Sequence, residues 1–258
     1  MSSGTGWRNS GKTIVWCTLN CGLRHSGQES PSGNVCGSAR ASVYLANCST
    51  LPYDLHYVAT YLERDLRAQL QVGNLRDFER LLRAAALRSS GLLNRAELAR
   101  DVGISPSTAG QWLSVLERSG VVALLEPWFS NRTKSLVKTP KLHFQDSGLC
   151  AFLMGIVSRA DLMGSPLGGA LWESMVFGEL HRLLQTGSAP WQLAFWRDRT
   201  KEADFLLHRA GHFRLADAKW SEHPDPGKLS LVRRELAPPP TCAIVCRAPN
   251  RYPIGPGI

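Results

Sequence analysis

The sequence contains no apolar run of about 18 residues or more, so it encodes no membrane-spanning helix. It also lacks the basic head, apolar run and cleavage site of a signal peptide, and we therefore expect a cytoplasmic protein. Its seven cysteines are neither the even number typical of a disulfide-stapled secreted domain nor spaced as the C-x2-C pairs of zinc sites. These absences argue against the membrane, disulfide-scaffold and zinc-site classes.

The composition is that of a globular protein with a basic balance. The 258 residues are 43% hydrophobic and 20% charged, which suffices for one large domain or two modest ones. Thirty Lys and Arg residues against 21 Asp and Glu residues leave a net charge of +9. Such a charge favours an anionic partner, with DNA the first candidate, although a solvated basic surface would give the same count.

The first fifty residues differ from the rest, because they hold nine Ser and seven Gly but five charged residues. We expect residues 1–54 to be poorly ordered or a remnant of something longer. Gly6–Thr13 fits the phosphate-loop pattern G-x4-G-K-S/T, in which Gly11, Lys12 and Thr13 would hold phosphates and Mg²⁺. Only five residues precede Gly6, whereas a phosphate loop follows a buried strand. We therefore expect no ATP binding by this chain; residual nucleotide binding and a chance match are the alternatives.

Residues 55–150 are expected to form a helical, winged-helix domain. Apolar spacing and capping residues predict helices over Tyr57–Val72, Asp77–Leu87, Arg95–Asp101 and Pro106–Ser119. Gly103 and the cap Ser105 join the last two helices into a helix-turn-helix. Strands over Val121–Leu125 and Ser135–Val137 would form the wing.

Two interpretations of this winged helix remain open. In the first, Ser107, Thr108 and Gln111 enter a DNA major groove. Basic side chains of the wing would then contact phosphates; these are Arg132, Lys134 and Lys138. In the second, the fold packs against a protein partner, since the recognition helix is poor in Lys and Arg.

Residues 151–258 are expected to form a small α/β domain, so that the whole chain is of the α+β class. The pattern predicts a helix over Gly168–Gln185, three strands, a short helix over Lys228–Leu236 and a last strand over Thr241–Cys246. This order is typical of a mixed sheet covered by helices.

Four residues of this half suggest phosphodiester chemistry. Asp217 and Lys219 lie two apart on one predicted strand, so their side chains leave the same face, and Asp204 lies on the preceding strand. Glu173 shares a helix face with apolar residues and needs a cation or a donor to offset its burial. Asp204 and Asp217 could bind Mg²⁺ while Lys219 orients or deprotonates water, with Glu173 in support. The alternative is a structural ion-pair cluster without catalysis.

The chain also resembles a known family: the domain of unknown function at the C-terminus of many bacterial and archaeal AAA-type ATPases. The segments that carry the resemblance are Tyr61–Leu66, Asn94–Ala99, Gly103–Ser105, Trp112–Glu117, Lys138–Phe144, Asp146–Leu149, Gly169–Glu173, Phe195–Asp198, Glu202–Phe205 and Asp217–Trp220. The resemblance implies a winged helix followed by a restriction-endonuclease-like core. It matches the family's acidic and lysine positions to Glu173, Glu202, Asp204, Asp217 and Lys219, with Asp217 where Glu is usual.

Three functions follow as expectations. The first is an accessory module of an AAA-type ATP-binding protein, which binds DNA or a protein partner without hydrolysing ATP itself. The second is a Mg²⁺-dependent nuclease, and the third is residual nucleotide binding at Gly6–Thr13.

Overall fold

The computed structural model describes residues 14–17 (backbone only), 75–129, 139–187, 190–225 and 227–248. These residues form an α+β fold of two compact units. The helical unit comprises the described residues of 75–126 and 139–186. The sheet unit comprises those of 14–17, 127–129 and 187–248.

Among the described residues of the helical unit the first three helices follow the predicted order: α1 (Leu75–Ala86), α2 (Arg95–Val102) and α3 (Pro106–Arg118). The side chain of Asn94 caps α2 by accepting from the amide of Glu97, and Ser105 caps α3 by accepting from the amide of Thr108. Gly103 between them has φ +83°, a left-handed conformation that favours glycine. The predicted helix over Tyr57–Val72 lies outside the described residues.

An apolar core holds these helices together. Phe78 of α1 contacts Trp112 of α3 edge to face, with ring centroids 5.4 Å apart. Leu98 of α2 and Leu116 of α3 are also fully buried. The arrangement of these helices is therefore stabilised by side-chain packing as well as by the capping hydrogen bonds.

A two-stranded antiparallel sheet follows, formed by β2 (Val122–Leu125) and β3 (Lys141–Phe144). The first strand was predicted, but the second lies later in the chain than the predicted Ser135–Val137, which is outside the described residues. All four residues of β3 are buried, so the strand lacks the alternation that marks a half-exposed strand.

The helical unit continues with α4 (Ser147–Leu153), α5 (Arg159–Gly164) and α6 (Gly168–Thr186). The first two were not predicted, since each is shorter than the span over which a helical period can be recognised. Helix α6 packs on α4 and β3. The structure thus assigns residues 151–186 to the helical unit, whereas the predicted domain boundary lies at residue 150.

The sheet unit is built on a mixed five-stranded sheet. Its strands are β1 (Ile14–Cys17), β4 (Gln192–Arg197), β5 (Glu202–Arg209), β6 (His212–Lys219) and β7 (Thr241–Cys246), in the spatial order β1-β7-β6-β5-β4. Strands β4, β5 and β6 are antiparallel, while β7 is parallel to β6 and β1 is parallel to β7. The mixed sheet was predicted; β1 was not, because it lies in the segment expected to be poorly ordered.

Helix α7 (Gly227–Arg233) covers one face of this sheet. Its Leu229 and Val232 are fully buried in a cluster with Leu206, Leu215 and Ile244 from three neighbouring strands. Since side chains alternate along a strand, the residues two and four places after Leu215 share its face. Asp217 and Lys219 therefore lie on the face of the sheet against which α7 packs.

Candidate functional site

Two carboxylates from neighbouring strands converge on one lysine in the sheet unit. Asp204 belongs to β5, and Asp217 and Lys219 belong to β6. The Nζ atom of Lys219 lies 3.0 Å from Oδ2 of Asp217 and 3.5 Å from Oδ2 of Asp204. The structure thus brings together three of the four residues that the sequence suggests for catalysis.

The cluster lies where the β5–β6 ladder ends. The ladder runs from the pair Arg209–His212 to the pair Phe205–Ala216. At the next position along the strands, hydrogen bonds from backbone amides to side-chain carboxylates replace the backbone–backbone hydrogen bonds. The amide of Asp204 donates to Oδ1 of Asp217 over 3.1 Å. The amide of Ala218 donates to Oδ2 of Asp204 over 2.9 Å. Each carboxylate is therefore oriented by an amide of the adjacent strand.

Burial and charge shift the proton affinities in this cluster. Asp217 is 2% exposed and Asp204 is 9% exposed. Burial, and after it the charge of Asp204, raise the pKa of Asp217 to about 6 against the opposing effect of Lys219. Burial lowers the pKa of Lys219, but the charges of Asp217 and Asp204 outweigh it and leave that pKa raised. Lys219 is consequently an ammonium ion at neutral pH, suited to orienting a ligand rather than removing a proton.

The donor set fits a hard divalent cation. Mg²⁺ prefers oxygen ligands and is usually held by one or two carboxylates together with waters and substrate phosphates. Asp204 and Asp217 supply such carboxylates. Among the described residues no group of three or more His, Cys, Asp or Glu side chains could form an all-protein metal site. The remaining ligands would have to be water, backbone oxygens or a phosphate.

Glu173, the fourth predicted residue, has a buried partner in the helical unit. Its Oε1 lies 2.9 Å from Nζ of Lys141, and the two side chains are 15% and 3% exposed respectively. The sequence indicated that an inward Glu173 needs a cation, but it did not identify Lys141. The only available signal was the Lys138–Phe144 segment of the family resemblance. Glu202, also matched by the resemblance, pairs with Arg197 across β4 and β5 at 3.6 Å.

The residues predicted to contact DNA are described in part. Ser107 and Gln111 are exposed on α3, and Oγ1 of Thr108 lies 2.8 Å from Oγ of Ser105. The predicted wing residues lie outside the described part; these are Arg132, Lys134 and Lys138. The described residues of the helical unit carry ten Lys and Arg and ten Asp and Glu, so they have no excess positive charge.

The predicted phosphate loop, with Gly11, Lys12 and Thr13, also lies outside the described residues. The residues directly after Thr13 form β1, which pairs with β7. In a phosphate-loop protein a helix begins at this point, and its N-terminus holds the phosphates.

Comparison with known proteins finds that two segments of the chain match domain families. Residues 47–160 match the model of a domain of unknown function (DUF8612), and residues 168–258 match that of another (DUF4143). The chain carries two domains of unknown function. The candidate cluster and Glu173 both lie within the second of them.

Two curated relatives are similar to this chain: uncharacterized proteins of Mycobacterium bovis and Mycobacterium tuberculosis. Each is 34% identical over 203 residues, which cover 77% of this chain and 44% of the relative. The chain thus spans less than half the length of the curated relatives it matches. No solved structure matches the chain. No helix in the described ranges has the length and apolarity needed to cross a membrane.

Proposed function

We propose that this chain is the accessory module of an AAA-type ATP-binding protein and that its sheet unit acts on nucleic-acid phosphodiesters with Mg²⁺. The match of residues 168–258 to DUF4143 supports the first part, because this is the domain that the resemblance associates with AAA-type ATPases. The relatives, of which this chain spans less than half, leave room for an ATPase region elsewhere in such proteins.

The observation that carries the second part is the convergence of Asp204 and Asp217 on Lys219. The charge of Asp204 raises the pKa of Asp217, so the two carboxylates repel each other in a mostly buried place. Titratable groups that are buried and perturbed by a specific charged neighbour are typical of functional sites. A divalent cation would relieve the repulsion between the two carboxylates.

Each residue of the cluster has a role in this proposal. Asp204 and Asp217 would hold Mg²⁺, which polarises a phosphoryl oxygen and activates water when it is bound. Lys219, as an ammonium ion, would contact a phosphate oxygen or the attacking water and stabilise the developing negative charge. The amides of Asp204 and Ala218 hold the carboxylates in place, so the arrangement is preorganised before substrate binds.

A second candidate function is DNA binding by the helix-turn-helix. It is favoured by the capped N-terminus of α3, where Ser107 and Gln111 are exposed as they are in recognition helices. The balanced charge of the described helical unit means that attraction to phosphates would have to come from other residues, such as those of the predicted wing. Packing against a protein partner is the alternative use of the same surface.

A plasmid-nicking assay with Mg²⁺ or Mn²⁺ tests the phosphodiester function. We expect nicking by the parent chain and its loss in Lys219→Ala and in Asp204→Ala. Lys201→Ala is the matched control, because Lys201 lies next to β5 but pairs with Glu235 instead of the cluster. Absence of metal-dependent nicking, or equal activity in the parent and both site variants, would overturn the proposal.

A gel shift with duplex DNA at two salt concentrations tests the second candidate. Binding that weakens with salt and is reduced in Gln111→Ala supports groove contact by α3. Binding unchanged in that variant would place DNA contact elsewhere on the chain. No shift at either salt concentration would favour a protein partner for this surface.

A further inference from the structure

A tryptophan and an arginine stack at the end of the sheet that carries Lys219. The guanidinium carbon of Arg247 lies over the ring of Trp220, 4.5 Å from its centroid. Both side chains are partly exposed. The functions proposed above make no use of this pair, although Trp220 directly follows Lys219 in the chain.

Backbone pairing places the stack at the carboxyl ends of two parallel strands. Lys219, the last residue of β6, is in register with Cys246, the last residue of β7, and Trp220 and Arg247 directly follow these strand ends. The amide of Arg247 donates to the carbonyl of Ser221 over 3.1 Å. Carboxyl ends of parallel strands are where open α/β sheets bind their ligands.

A further contact orients the guanidinium. Its Nη2 atom lies 3.3 Å from Oε1 of Glu222, so the arginine is held both by the indole ring and by a carboxylate. Flat indole and guanidinium surfaces are the groups on which proteins stack nucleobases. Such stacking tolerates every base but requires that the base be unpaired, because a base inside a duplex presents only its edges.

We propose that the Trp220–Arg247 stack is a nucleobase platform and that the substrate of the adjacent cluster is single-stranded or locally unpaired nucleic acid. This inference rests on the proposed phosphodiester function and deepens it. The cluster would take the phosphate, and the platform would take a neighbouring base. Trp220 is then a residue that determines specificity and plays no part in the chemical step.

The same sheet offers a matched control. Arg214 of β6 lies over the ring of Trp191 at the same 4.5 Å distance. Arg214 precedes Lys219 by five residues, which is roughly 16 Å along a strand. This second stack has the same chemistry but lies away from the cluster, so it separates a specific platform from a general effect of removing a tryptophan.

The test is fluorescence anisotropy of the full chain with a short labelled oligodeoxythymidylate and with a duplex, in EDTA so that no cleavage occurs. We expect the parent to bind the single strand more tightly than the duplex. Trp220→Ala should weaken single-strand binding about five- to 150-fold, equivalent to about 1–3 kcal/mol. Trp220→Phe should retain most of the affinity, and Trp191→Ala should bind like the parent.

Three outcomes would overturn the inference: unchanged single-strand affinity in Trp220→Ala, an equal loss in Trp191→Ala, or a parent that prefers duplex. Circular dichroism of each variant shows whether it is folded, and Trp220→Phe keeps the test valid if the alanine variant is not. Failure of the phosphodiester function is distinguishable, since it would appear as absent Mg²⁺-dependent cleavage of both the plasmid and the single strand while the binding differences persist.

Discussion

Each of the two units places a lysine against carboxylates, and the two clusters differ in the number of carboxylates and in the burial of the lysine. In the helical unit one lysine meets one glutamate, Lys141 and Glu173, at 2.9 Å. In the sheet unit one lysine, Lys219, meets two aspartates. The side chain of Lys141 is 3% exposed, whereas that of Lys219 is 33% exposed.

This difference separates a structural pair from a candidate site. In the helical unit the lysine and the glutamate carry opposite charges and attract each other. In the sheet unit the pKa of Asp217 is raised to about 6, mainly through burial and then through repulsion by Asp204, and a bound cation would relieve that repulsion. Glu173 is thereby better explained in the described structure as the partner of Lys141, while Asp204 and Asp217 retain the chemistry of metal ligands.

The largest expected effect comes from breaking the buried pair. Lys141→Met leaves Glu173 buried without its cation, and we expect a loss of about 3–5 kcal/mol in the free energy of unfolding. Lys219→Met should cost clearly less, because that site is more open to solvent and Asp217 can take up a proton. Urea denaturation at neutral pH measures both.

The double variant Lys141→Met/Glu173→Leu is the control for this prediction. It removes both charges together and should recover most of the stability. If Lys219→Met proved as destabilising as Lys141→Met, the distinction between a buried structural pair and a more open candidate site would be wrong.

In the sheet unit we expect the removal of a charge to raise the free energy of unfolding instead of lowering it. Asp217→Asn removes one of two like charges while keeping an oxygen that can accept from the amide of Asp204. We expect this variant to be more stable than the parent at pH 8 by about 1–2 kcal/mol, since ionised Asp217 opposes folding there. It should also lose any rise in melting temperature that Mg²⁺ gives the parent. A melting temperature below that of the parent at pH 8 would contradict the prediction.

A third prediction concerns the acid sensitivity of the helical unit. His143 is fully buried, stacks on Phe177 at 4.3 Å, and has a pKa held well below its usual range by burial and by the charge of Lys141. The unfolded chain takes up this proton near pH 6.5 while the folded chain does not, so stability falls as the pH drops below that value. The slope from one histidine is at most about 1.4 kcal/mol per pH unit.

His143→Phe should therefore flatten the loss of unfolding free energy between pH 7 and pH 5. His212 is an exposed histidine of the sheet unit, and His212→Gln controls for the loss of a surface imidazole. An unchanged slope in His143→Phe would mean that acid sensitivity arises in other groups.

The smallest expected effect tests the local order of the helix-turn-helix. Ser105→Ala removes the oxygen that accepts from the amide of Thr108 at the start of α3, and we expect a loss of about 1 kcal/mol. Ser114→Ala, on the exposed side of the same helix, is the matched control and should change stability little. Thermal unfolding of both variants is sufficient, and equal effects would contradict the capping role.

Individual elements show where sequence reasoning succeeds. The caps Asn94 and Ser105 and the turn glycine Gly103 act over one turn of chain, so their roles could be predicted from neighbouring residues. The strands β4 to β7 carry enough apolar alternation or β-branched residues to be recognised singly. By contrast, β3 is buried along its whole length and α4 spans seven residues, so neither shows a usable period.

In the candidate site, too, some features could be predicted from neighbouring residues and others could not. The two-residue spacing of Asp217 and Lys219 placed both side chains on one face, because alternation along a strand is a local property. That Asp204 would stand beside them could be suggested only from the order of strands. The partner of Glu173 could not be found, since Lys141 is 32 residues distant and is brought near by the packing of α6 on β3.

By itself the sequence determined the two capped helices joined at Gly103, the helix–strand order of the second half and the residues of the candidate cluster. These depend on contacts between near neighbours in the chain. The tertiary structure alone decided that Glu173 contacts the buried Lys141 and that Asp204 and Asp217 both contact Lys219. It also decided that Trp220 and Arg247 stack beside Lys219. Ion pairing and burial arise from segments far apart in sequence, and only packing brings those segments together.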